Sequence, residues 1–350
     1  MRPIRWGILG TGSIAKAFAE ALQETEGDLI AVASKTDARA RKFCESYDCH
    51  AIEGYENLIK LDGIDAVYVA TPHTDHFDLT AKCLKQKKAV LCEKPMTINA
   101  TETMALIDIS RKNETLLMEA FMYKIHPQTQ RIRDIVQDKL RGPLKIKADF
   151  CFSVDVPDTH RLVNRELGGG SILDIGCYPV SMSRYAVGAI NGKNFMNPVS
   201  LEAKGELNEQ KIDLNASAKL VFEDGSVAEI RSATNISTES DVEITDGQTK
   251  LLINQPWHCG EFTERTSQLK LIDNEGKEET IDIATDKGLY ALEIDHFSET
   301  YRANKVESEI IPHNDSHGNM IALDSWRREL KVVYDDDRGE KRQIPVVSYE

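Results

Sequence analysis

The sequence predicts an α/β protein with a doubly wound parallel sheet in its N-terminal part and an antiparallel sheet in its C-terminal part. Three observations carry this prediction. Buried strands alternate with helices from Ile4 to Met118, a glycine-rich turn at Gly10–Ala15 follows the first strand, and three hairpins occupy the second half of the chain. A chain of 350 residues is long enough for two domains, each with its own hydrophobic core.

Composition and charge argue against several classes of protein. The net charge of -14 argues against a nucleic-acid or anionic-membrane partner. No apolar run approaches the length of a membrane span, and the N-terminus shows no signal-peptide pattern. The seven cysteines are odd in number and scattered without zinc-type spacing, so we expect reduced thiols, a cytoplasmic location and no metal site.

The first strand, Ile4–Leu9, ends in a turn that is typical of dinucleotide-binding proteins. An amphipathic helix follows the turn, with an apolar face that we assign to Ala17, Phe18, Ala21 and Leu22. In such a turn the first glycine permits the tight bend, the second lets the backbone approach a pyrophosphate, and the helix N-terminus supplies N–H donors. Glycines can also serve packing alone, but the flanking strand and helix favour a cofactor. We predict contacts from Gly10, Thr11, Gly12, Ser13 and Ile14.

The end of the second strand, Leu29–Ala33, bears on the choice of cofactor. NAD-specific sites usually place an acidic residue about 20 residues past the glycines, where it binds the ribose 2′-hydroxyl. Here the strand is followed by Ser34 and Lys35, and Arg39 lies one turn into the next helix. Lys35 could be a solvated loop residue, but a cation here would bind a 2′-phosphate. We predict that all three residues contact the cofactor and that NADP(H) is preferred, with NAD(H) possible.

Polar residues follow the remaining strands of the predicted parallel sheet. The strand Ala66–Ala70 is followed by Thr71, His73 and His76, and the strand Ala89–Cys92 by Glu93 and Lys94. Ligands of doubly wound sheets bind at the carboxyl ends of the strands, so we predict cofactor contacts from all five. Lys94 could be an ordinary exposed loop residue, but Pro95 disfavours a helix there and holds it at the strand tip.

The stretch Gly168–Pro179 combines several glycines with one carboxylate and one phenol. Asp174 and Tyr178 are four residues apart, so on an α-helix they project from one face. The glycines let another backbone or a ligand come close. Alternatively, this is a glycine-rich turn before an ordinary helix, with Asp174 as its N-terminal cap.

The second half of the chain mixes helices with strands. Helices are predicted at residues 123–140, at 289–301, at 318–333 and from the glycine stretch to about 187, and strands at 144–156, in the hairpins 212–233, 242–253 and 269–283, and at 343–347. We place the domain boundary between residues 122 and 123, so that 1–122 bind the dinucleotide and 123–350 bind substrate and form the oligomer. One sheet face would be exposed in a monomer, which favours a partner that covers it.

Five motifs occur in order along the chain: Gly10–Ala15, Thr71–His76, Glu93–Pro95, Glu119–Tyr123 and Gly168–Pro179. With these motifs the chain resembles the Gfo/Idh/MocA family of NAD(P)-dependent oxidoreductases. The resemblance implies a Rossmann domain followed by a domain with a large, mostly antiparallel open sheet. It also implies that such sheets pair between subunits, so we expect a homodimer.

The resemblance also implies roles for individual residues. Lys94 is similar to the active-site lysine of the family, and Asp174 to its paired carboxylate. Most members have histidine at the position of Tyr178; tyrosine resembles the branch that includes glucose–fructose oxidoreductase and the dimeric dihydrodiol and D-xylose 1-dehydrogenases. A sugar or trans-dihydrodiol substrate is therefore expected. The loop that carries His160 and Arg161 is expected at the pocket mouth, where either residue could reach a polyhydroxy substrate.

The expected chemistry is transfer of a hydride between nicotinamide and a carbinol or carbonyl carbon, with a proton moving on the oxygen. We assign that proton to Tyr178 and expect Lys94 to lower the pKa of the phenol, which is ordinarily near 10. Lys94, Arg161, Asp174 and Tyr178 are the predicted substrate-binding residues. Two alternatives stay open: a non-catalytic dinucleotide-binding regulator, and a redox-assisted glycosidase of the same family.

Overall fold

The computed structural model describes residues 2–260 and 265–338 and contains two β-sheets. The strands of the first sheet are β1 (Arg5–Leu9), β2 (Asp28–Ser34), β3 (His50–Glu53), β4 (Ala66–Val69), β5 (Ala89–Glu93) and β6 (Leu117–Ala120). All pairs are parallel and the order is β3-β2-β1-β4-β5-β6. The order changes direction between β1 and β4, which creates the crevice where such sheets bind ligands.

Five helices connect these strands: α1 (Ser13–Leu22), α2 (Asp37–Cys44), α3 (Tyr55–Ile59), α4 (His73–Lys85) and α5 (Ala100–Asn113). The buried face of α1 differs from the prediction, because Ala15 and Ala19 are buried while Ala17 and Ala21 are only partly buried. Phe18 fixes this face, since its ring stacks on that of Tyr68 with 4.0 Å between centroids. The short elements β3 and α3 were not predicted, because β3 has no fully buried residue and α3 spans five residues.

The predicted single helix at 123–140 is wrong, since the structure has two helices there. They are α6 (Met122–Ile125) and α7 (Pro127–Lys139). His126 between them has an extended backbone and accepts a hydrogen bond from Gln128 N through its side chain. The physical reason is Pro127, which excludes the helical conformation at the preceding residue but is well suited to the first position of a new helix.

The second sheet has eight strands: β7 (Lys145–Cys151), β8 (Ser200–Leu207), β9 (Asp213–Val221), β10 (Val227–Ala233), β11 (Val242–Thr245), β12 (Lys250–Ile253), β13 (Thr266–Ile272) and β14 (Glu278–Ala284). Their order is β14-β13-β12-β11-β7-β10-β9-β8, and only the β7–β10 pair is parallel. The three predicted hairpins are present, whereas β8 was not predicted. A doubly wound parallel sheet followed by a mostly antiparallel sheet confirms the predicted fold class.

The two faces of the second sheet differ in character. The inner face is apolar and packs against helix α8 (Cys177–Ile190), which is buried along almost its whole length. The outer face carries charged side chains of both signs, among them Lys147, Glu202, Lys204, Lys219 and Glu229. Alternation along the strands thus places charges on the outer face, and the expectation that a partner covers this face stays a prediction.

Two further helices return from the second sheet to the first domain: α9 (Leu289–Arg302) packs on α1 and α6, and α10 (His313–Glu329) packs on α5 and α8. Buried charges tie these layers together, since Asp315 binds both Lys124 and Arg184. Helices α9 and α10 belong to the second half of the chain but pack on the first domain. The domain boundary between residues 122 and 123 therefore stays a prediction. The predicted strand at 343–347 lies outside the described residues. None of the helices described is long and apolar enough to cross a bilayer.

Candidate active site

The turn between β1 and α1 has the geometry of a pyrophosphate site. Gly10 has a φ of +112°, and a Cβ there would lie 2.3 Å from the carbonyl oxygen of Ala70, so only glycine fits. A Cβ on Gly12 would meet no protein atom within 4 Å. Gly12 immediately precedes α1 and has no side chain to cap it, so the first amides of the helix face open space. The predicted residues Thr11, Ser13 and Ile14 belong to the same turn.

The tip of β2 carries the two predicted cations. Ser34 is buried at the end of the strand, whereas Lys35 and Arg39 are exposed. Lys35 Nζ lies 3.1 Å from a carboxylate oxygen of Asp75 on α4, so this cation is held across the crevice edge. No acidic residue occurs among residues 34–36 at the tip of β2, so the only carboxylate placed at Lys35 by the described residues is that of Asp75.

His73 and His76 connect the first sheet to its surroundings. His76 is buried, with Nδ1 3.0 Å from Pro95 O and Nε2 2.8 Å from Thr71 O. Both ring nitrogens therefore face protein carbonyls, which leaves neither for the predicted cofactor contact. His73 Nδ1 donates to the carbonyl of Gly168 at 2.9 Å. Burial lowers the pKa of His73 to about 3, so this imidazole is neutral near pH 7.

Lys94 brings the two domains together. It follows β5, and its Nζ donates to the backbone carbonyl of Asp174 at 2.6 Å and lies 3.8 Å from Oδ1 of the same residue. Glu93 accepts from the Tyr68 hydroxyl and from the Lys94 amide, and burial raises the pKa of Glu93. Lys94 and Asp174, which the family resemblance pairs, therefore lie next to each other, and their catalytic roles stay a prediction.

Asp174 is a buried carboxylate between two cations. Its Oδ1 lies 2.7 Å from Arg161 Nη1 and 3.8 Å from Lys94 Nζ, and the neutral imidazole of His73 lies next to it, with Nε2 4.0 Å away. Burial alone would raise the pKa of Asp174, but the charges of Lys94 and Arg161 outweigh it and hold that pKa well below the usual range. The site therefore holds an ionised carboxylate throughout the physiological pH range.

The helix that carries Asp174 does not have the predicted α-helical start. Residues Ile172–Gly176 form a π-helical turn that runs directly into α8. Pro179 has no amide hydrogen and cannot bond to the carbonyl five residues earlier, which is that of Asp174 and which Lys94 occupies. The helical turn starts before Asp174, so the alternative that Asp174 is its N-terminal cap is wrong. Such turns occur often at functional sites.

Tyr178 is buried in an aromatic cluster. Its ring centroid lies 5.5 Å from that of Phe121, 5.3 Å from that of Phe150 and 5.6 Å from that of Trp257, and its hydroxyl donates to Met122 Sδ at 3.4 Å. Lys94 Nζ lies over the ring, 5.3 Å from its centroid.

The charge environment of this phenol contradicts one expectation. We expected Lys94 to lower the pKa of Tyr178, but burial raises that pKa well above its ordinary value. The negative charge of Asp174 acts in the same direction as burial. Tyr178 is therefore a neutral phenol across the physiological pH range.

Sequence reasoning missed three residues of this pocket. The sequence places Phe150 in a strand, leaves Trp257 as either a pocket wall or a packed loop residue with packing favoured, and gives Met122 no role of its own. Trp257 Nε1 donates to Asp149 O at 3.1 Å, which turns the indole toward Tyr178. The only sequence signal was the clustering of Trp257 and His258 in an irregular stretch between a proline and a glycine.

Comparison with known proteins decides the family. The family model described as "Oxidoreductase family, NAD-binding Rossmann fold" matches residues 4–121, and that described as "GFO/IDH/MocA C-terminal domain" matches residues 129–247. The chain belongs to the Gfo/Idh/MocA family. The resemblance seen in the sequence is thereby confirmed, and so is the prediction of an NAD(P)-dependent dehydrogenase or reductase with a Rossmann domain.

Members of the Gfo/Idh/MocA family that resemble this chain include enzymes of different substrates. A trans-1,2-dihydrobenzene-1,2-diol dehydrogenase of Xenopus tropicalis is 32% identical over 343 residues, covering 94% of this chain and 99% of the relative. A D-xylose 1-dehydrogenase (NADP(+)) of Haloferax volcanii is 33% identical over 249 residues, covering 69% and 74%. A 3-ketoreductase from Actinomadura kijaniata, solved with NADP, superimposes with a TM-score of 0.82 at 24% identity, covering 93% and 98%.

The two glycines of the first turn predict different outcomes when each is replaced by alanine. Gly12→Ala is expected to leave the melting temperature nearly unchanged but to weaken NADPH binding by about tenfold or more, because the added Cβ enters the space open to the pyrophosphate. Gly10→Ala is expected to lower the melting temperature, because of its positive φ and the clash with Ala70. Thermal unfolding and fluorescence titration with NADPH measure both effects. Unchanged NADPH affinity in folded Gly12→Ala would contradict the assignment.

Proposed function

We propose that this protein transfers a hydride between NADP(H) and a carbinol or carbonyl carbon of a cyclic sugar or trans-dihydrodiol. The observation that carries the proposal is the meeting of Lys94, Asp174 and Tyr178 at the carboxyl edge of the Rossmann sheet. The three residues come from two domains, and Lys94 lies 80 residues before Asp174 in the sequence. A dinucleotide-binding regulator would have no need of this arrangement.

The protein's own groups divide the work of the reaction. When bound, the nicotinamide gives or takes the hydride, and the side chains hold the substrate oxygen and move its proton. Tyr178, kept neutral by burial, donates its proton to a carbonyl oxygen during reduction and becomes a phenolate. In the reverse direction the phenol must first release its proton to solvent, after which the phenolate accepts the proton of the carbinol. The Lys94 ammonium stabilises negative charge on that oxygen. Asp174 stays ionised, orients Lys94 and accepts from a neighbouring hydroxyl.

The pocket walls support a ring-shaped substrate with hydroxyl groups. Phe150 is only partly buried beside Tyr178 and offers apolar surface against which the C–H face of a pyranose or a dihydrodiol ring would pack, and the buried rings of Phe121 and Trp257 support Tyr178 from behind. Arg161 and Asp174 provide a donor and an acceptor at the same place, which suits vicinal hydroxyls. The names of the curated relatives, a dihydrodiol dehydrogenase and a xylose dehydrogenase, support both substrate classes.

We further propose NADP(H) as the preferred cofactor, with cations at Lys35 and Arg39 for its 2′-phosphate. The proposal is supported by the absence of an acidic residue among Ser34, Lys35 and Thr36 at the tip of β2. A cytoplasmic location is proposed as well. It is supported by the seven cysteines, all of which are free thiols in the described structure.

A direct assay tests the proposed reaction. We expect absorbance at 340 nm to rise when the protein is mixed with NADP⁺ and a member of a panel of pentoses, hexoses and trans-dihydrodiols. Tyr178→Phe and Lys94→Ala are each expected to lower kcat by about 10²-fold or more while NADPH binding persists, because each removes a group that acts on the substrate oxygen. Fluorescence titration with NADPH measures whether each variant still binds the cofactor.

Tyr185→Phe is the matched control for this assay. Tyr185 lies on the same helix as Tyr178, and its hydroxyl donates to Thr129 O at 3.2 Å, away from the pocket. Near-normal turnover in Tyr178→Phe would remove that residue from its role. The absence of turnover with the whole panel would favour a regulator, and nicotinamide retained through purification would favour a redox-assisted glycosidase.

The cofactor preference is tested at Lys35. Lys35→Ala is expected to raise the Kd for NADPH by about tenfold and leave that for NADH nearly unchanged, because only NADPH carries the 2′-phosphate. Lys42→Ala is the control, since Lys42 is exposed near the far end of α2, the helix that follows Lys35 in the chain. Equal effects of Lys35→Ala on both cofactors, or tighter binding of NADH than of NADPH by the unaltered protein, would contradict the preference.

We propose a homodimer formed through the outer face of the second sheet. The proposal is supported by the exposed side chains of both charges on that face and by the resemblance to dimeric relatives. Light scattering at micromolar concentration is expected to give the mass of two chains. The double charge reversal Lys147→Glu with Lys204→Glu is expected to yield monomers, since both lysines are exposed on this face. Lys85→Glu, on an exposed side of α4, is the control. A monomer before any substitution would overturn the proposal.

A further inference from the structure

The helix that carries Asp174 and Tyr178 begins against a carboxylate from the second sheet. Asp213, the first residue of β9, is fully buried. Its Oδ2 accepts a hydrogen bond from the Ile172 amide at 2.7 Å and another from the Ser171 hydroxyl at 2.9 Å. Asp213 thus caps the π-helical turn in the way that an N-terminal cap residue would, although it lies about 40 residues further along the chain.

The glycine stretch gives Asp213 the room it needs. Gly170 has a φ of +118°, and a Cβ there would lie 2.5 Å from Asp213 Oδ1 and 3.1 Å from the Tyr334 hydroxyl. Tyr334 in turn donates to the carbonyl of Gly169. Asp213 Oδ1 has no hydrogen-bond partner among the residues described, so the whole anchoring role falls on Oδ2.

We propose that Asp213 is a positioning residue for the reaction: its carboxylate fixes the first turn of the helix and thereby holds Asp174 and Tyr178 in register with Lys94. The kinetic consequence rests on the proposed function, whereas the anchoring of the turn by Asp213 does not depend on that function. A shift of the first turn would move the Asp174 carbonyl away from Lys94 Nζ, which it meets at 2.6 Å. The effect would fall on kcat more than on cofactor binding, because the cofactor turns belong to the first sheet.

The anchoring depends on the charge of Asp213. Burial raises the pKa of Asp213 to about 6, although the hydrogen bonds from Ile172 and Ser171 oppose burial. The ionisable groups that face Asp213 are Arg327 of α10, whose charge lowers this pKa, and Tyr334. The neighbouring elements bring no further charge to Asp213. The helical turn and β10 place the uncharged Ser171 and Ser232 there, and in β8 the residue paired with Asp213 is Leu207.

The sign of the pH effect follows from the two hydrogen bonds at Oδ2 and not from burial. The hydrogen bonds from Ile172 and Ser171 lower the pKa of Asp213, so they favour the carboxylate over the neutral acid. As pH falls through about 6, the buried Asp213 takes up a proton, and a neutral carboxyl is a weaker acceptor for these two donors. The first turn loosens and kcat falls. Asp174 does not titrate in this range, since its pKa is held far lower, and His73, with a pKa of about 3, stays neutral.

Two other buried acids lie next to residues 94–96, the loop that carries Lys94, and could produce a similar fall in kcat at low pH. Glu119, whose pKa burial raises to about 7, accepts from the Met96 amide at 2.9 Å. Glu93, whose pKa burial also raises, accepts from the Lys94 amide. The test therefore compares three matched carboxyl-to-amide variants.

The kinetic test measures kcat between pH 5 and pH 8 for the unaltered protein, Asp213→Asn, Glu119→Gln and Glu93→Gln. We expect kcat of the unaltered protein to fall along an acid limb centred near pH 6 and to level off about threefold to tenfold below its value at pH 7.5, because neutral Asp213 still accepts weakly. Asp213→Asn keeps one acceptor oxygen but cannot titrate, so its profile is expected to be flat there, with kcat lowered about threefold to tenfold at pH 7.5 and KM for NADPH unchanged. The limb is expected to persist in both glutamine variants. A limb that persists in Asp213→Asn, or that vanishes in either glutamine variant, would overturn the inference.

A second measurement is independent of turnover. Hydrogen exchange at pH 7.5, where Asp213 is ionised, is expected to show about tenfold less protection in residues 171–176 of Asp213→Asn than in the unaltered protein, because an amide oxygen is a weaker acceptor than a carboxylate. The segment 291–300 of α9 serves as the internal control. Unchanged protection of 171–176 would refute the anchoring role even if the substrate panel succeeds. Loss of protection without any turnover would leave the anchor standing and count against the proposed reaction alone.

Discussion

The candidate site depends on one contact between domains, in which Lys94 at the end of β5 donates to the backbone carbonyl of Asp174. A buried ammonium is costly unless it is paired and hydrogen-bonded, and the same holds for a buried carboxylate. Lys94 and Asp174 each satisfy the other, and Arg161 completes the pairing. Because neither charge is easily buried alone, the two domains are held in the one arrangement that lets the charges meet.

The crowding around this contact explains why the central stretch is rich in glycine. Gly168 accepts from His73 of the first domain, Gly169 accepts from Tyr334, and Gly170 lies against Asp213. Three different parts of the chain therefore approach three consecutive backbone positions. Side chains here would collide with these groups, as the 2.5 Å approach to Asp213 shows at Gly170. The glycines thus serve the placement of the helix and not its flexibility.

The sequence predicted those features that depend on short-range pattern, and it failed where distant residues decide. Alternation and the Gly10–Ala15 turn predicted the parallel sheet, and strand ends predicted that Lys94 would face the crevice. The π-helical turn was missed, since it depends on Pro179 and on a lysine 80 residues away. Asp213 was missed for the same reason. The direction of the Tyr178 pKa was wrong because Phe150 and Trp257, which help to bury the phenol, are remote in sequence.

That error at Tyr178 sharpens the view of the proton chemistry. Lys94 lies near the phenol, but its charge is shared with Asp174, so from Tyr178 the pair is close to neutral. Burial then prevails, and the phenol keeps its proton. A substrate oxygen that enters between Lys94 and Tyr178 would draw the ammonium toward itself and expose the phenol to uncompensated positive charge. On this view, binding of the substrate changes the electrostatics so that Tyr178 can act as acid and base. In the resting site, Tyr178 is protected from losing its proton to solvent.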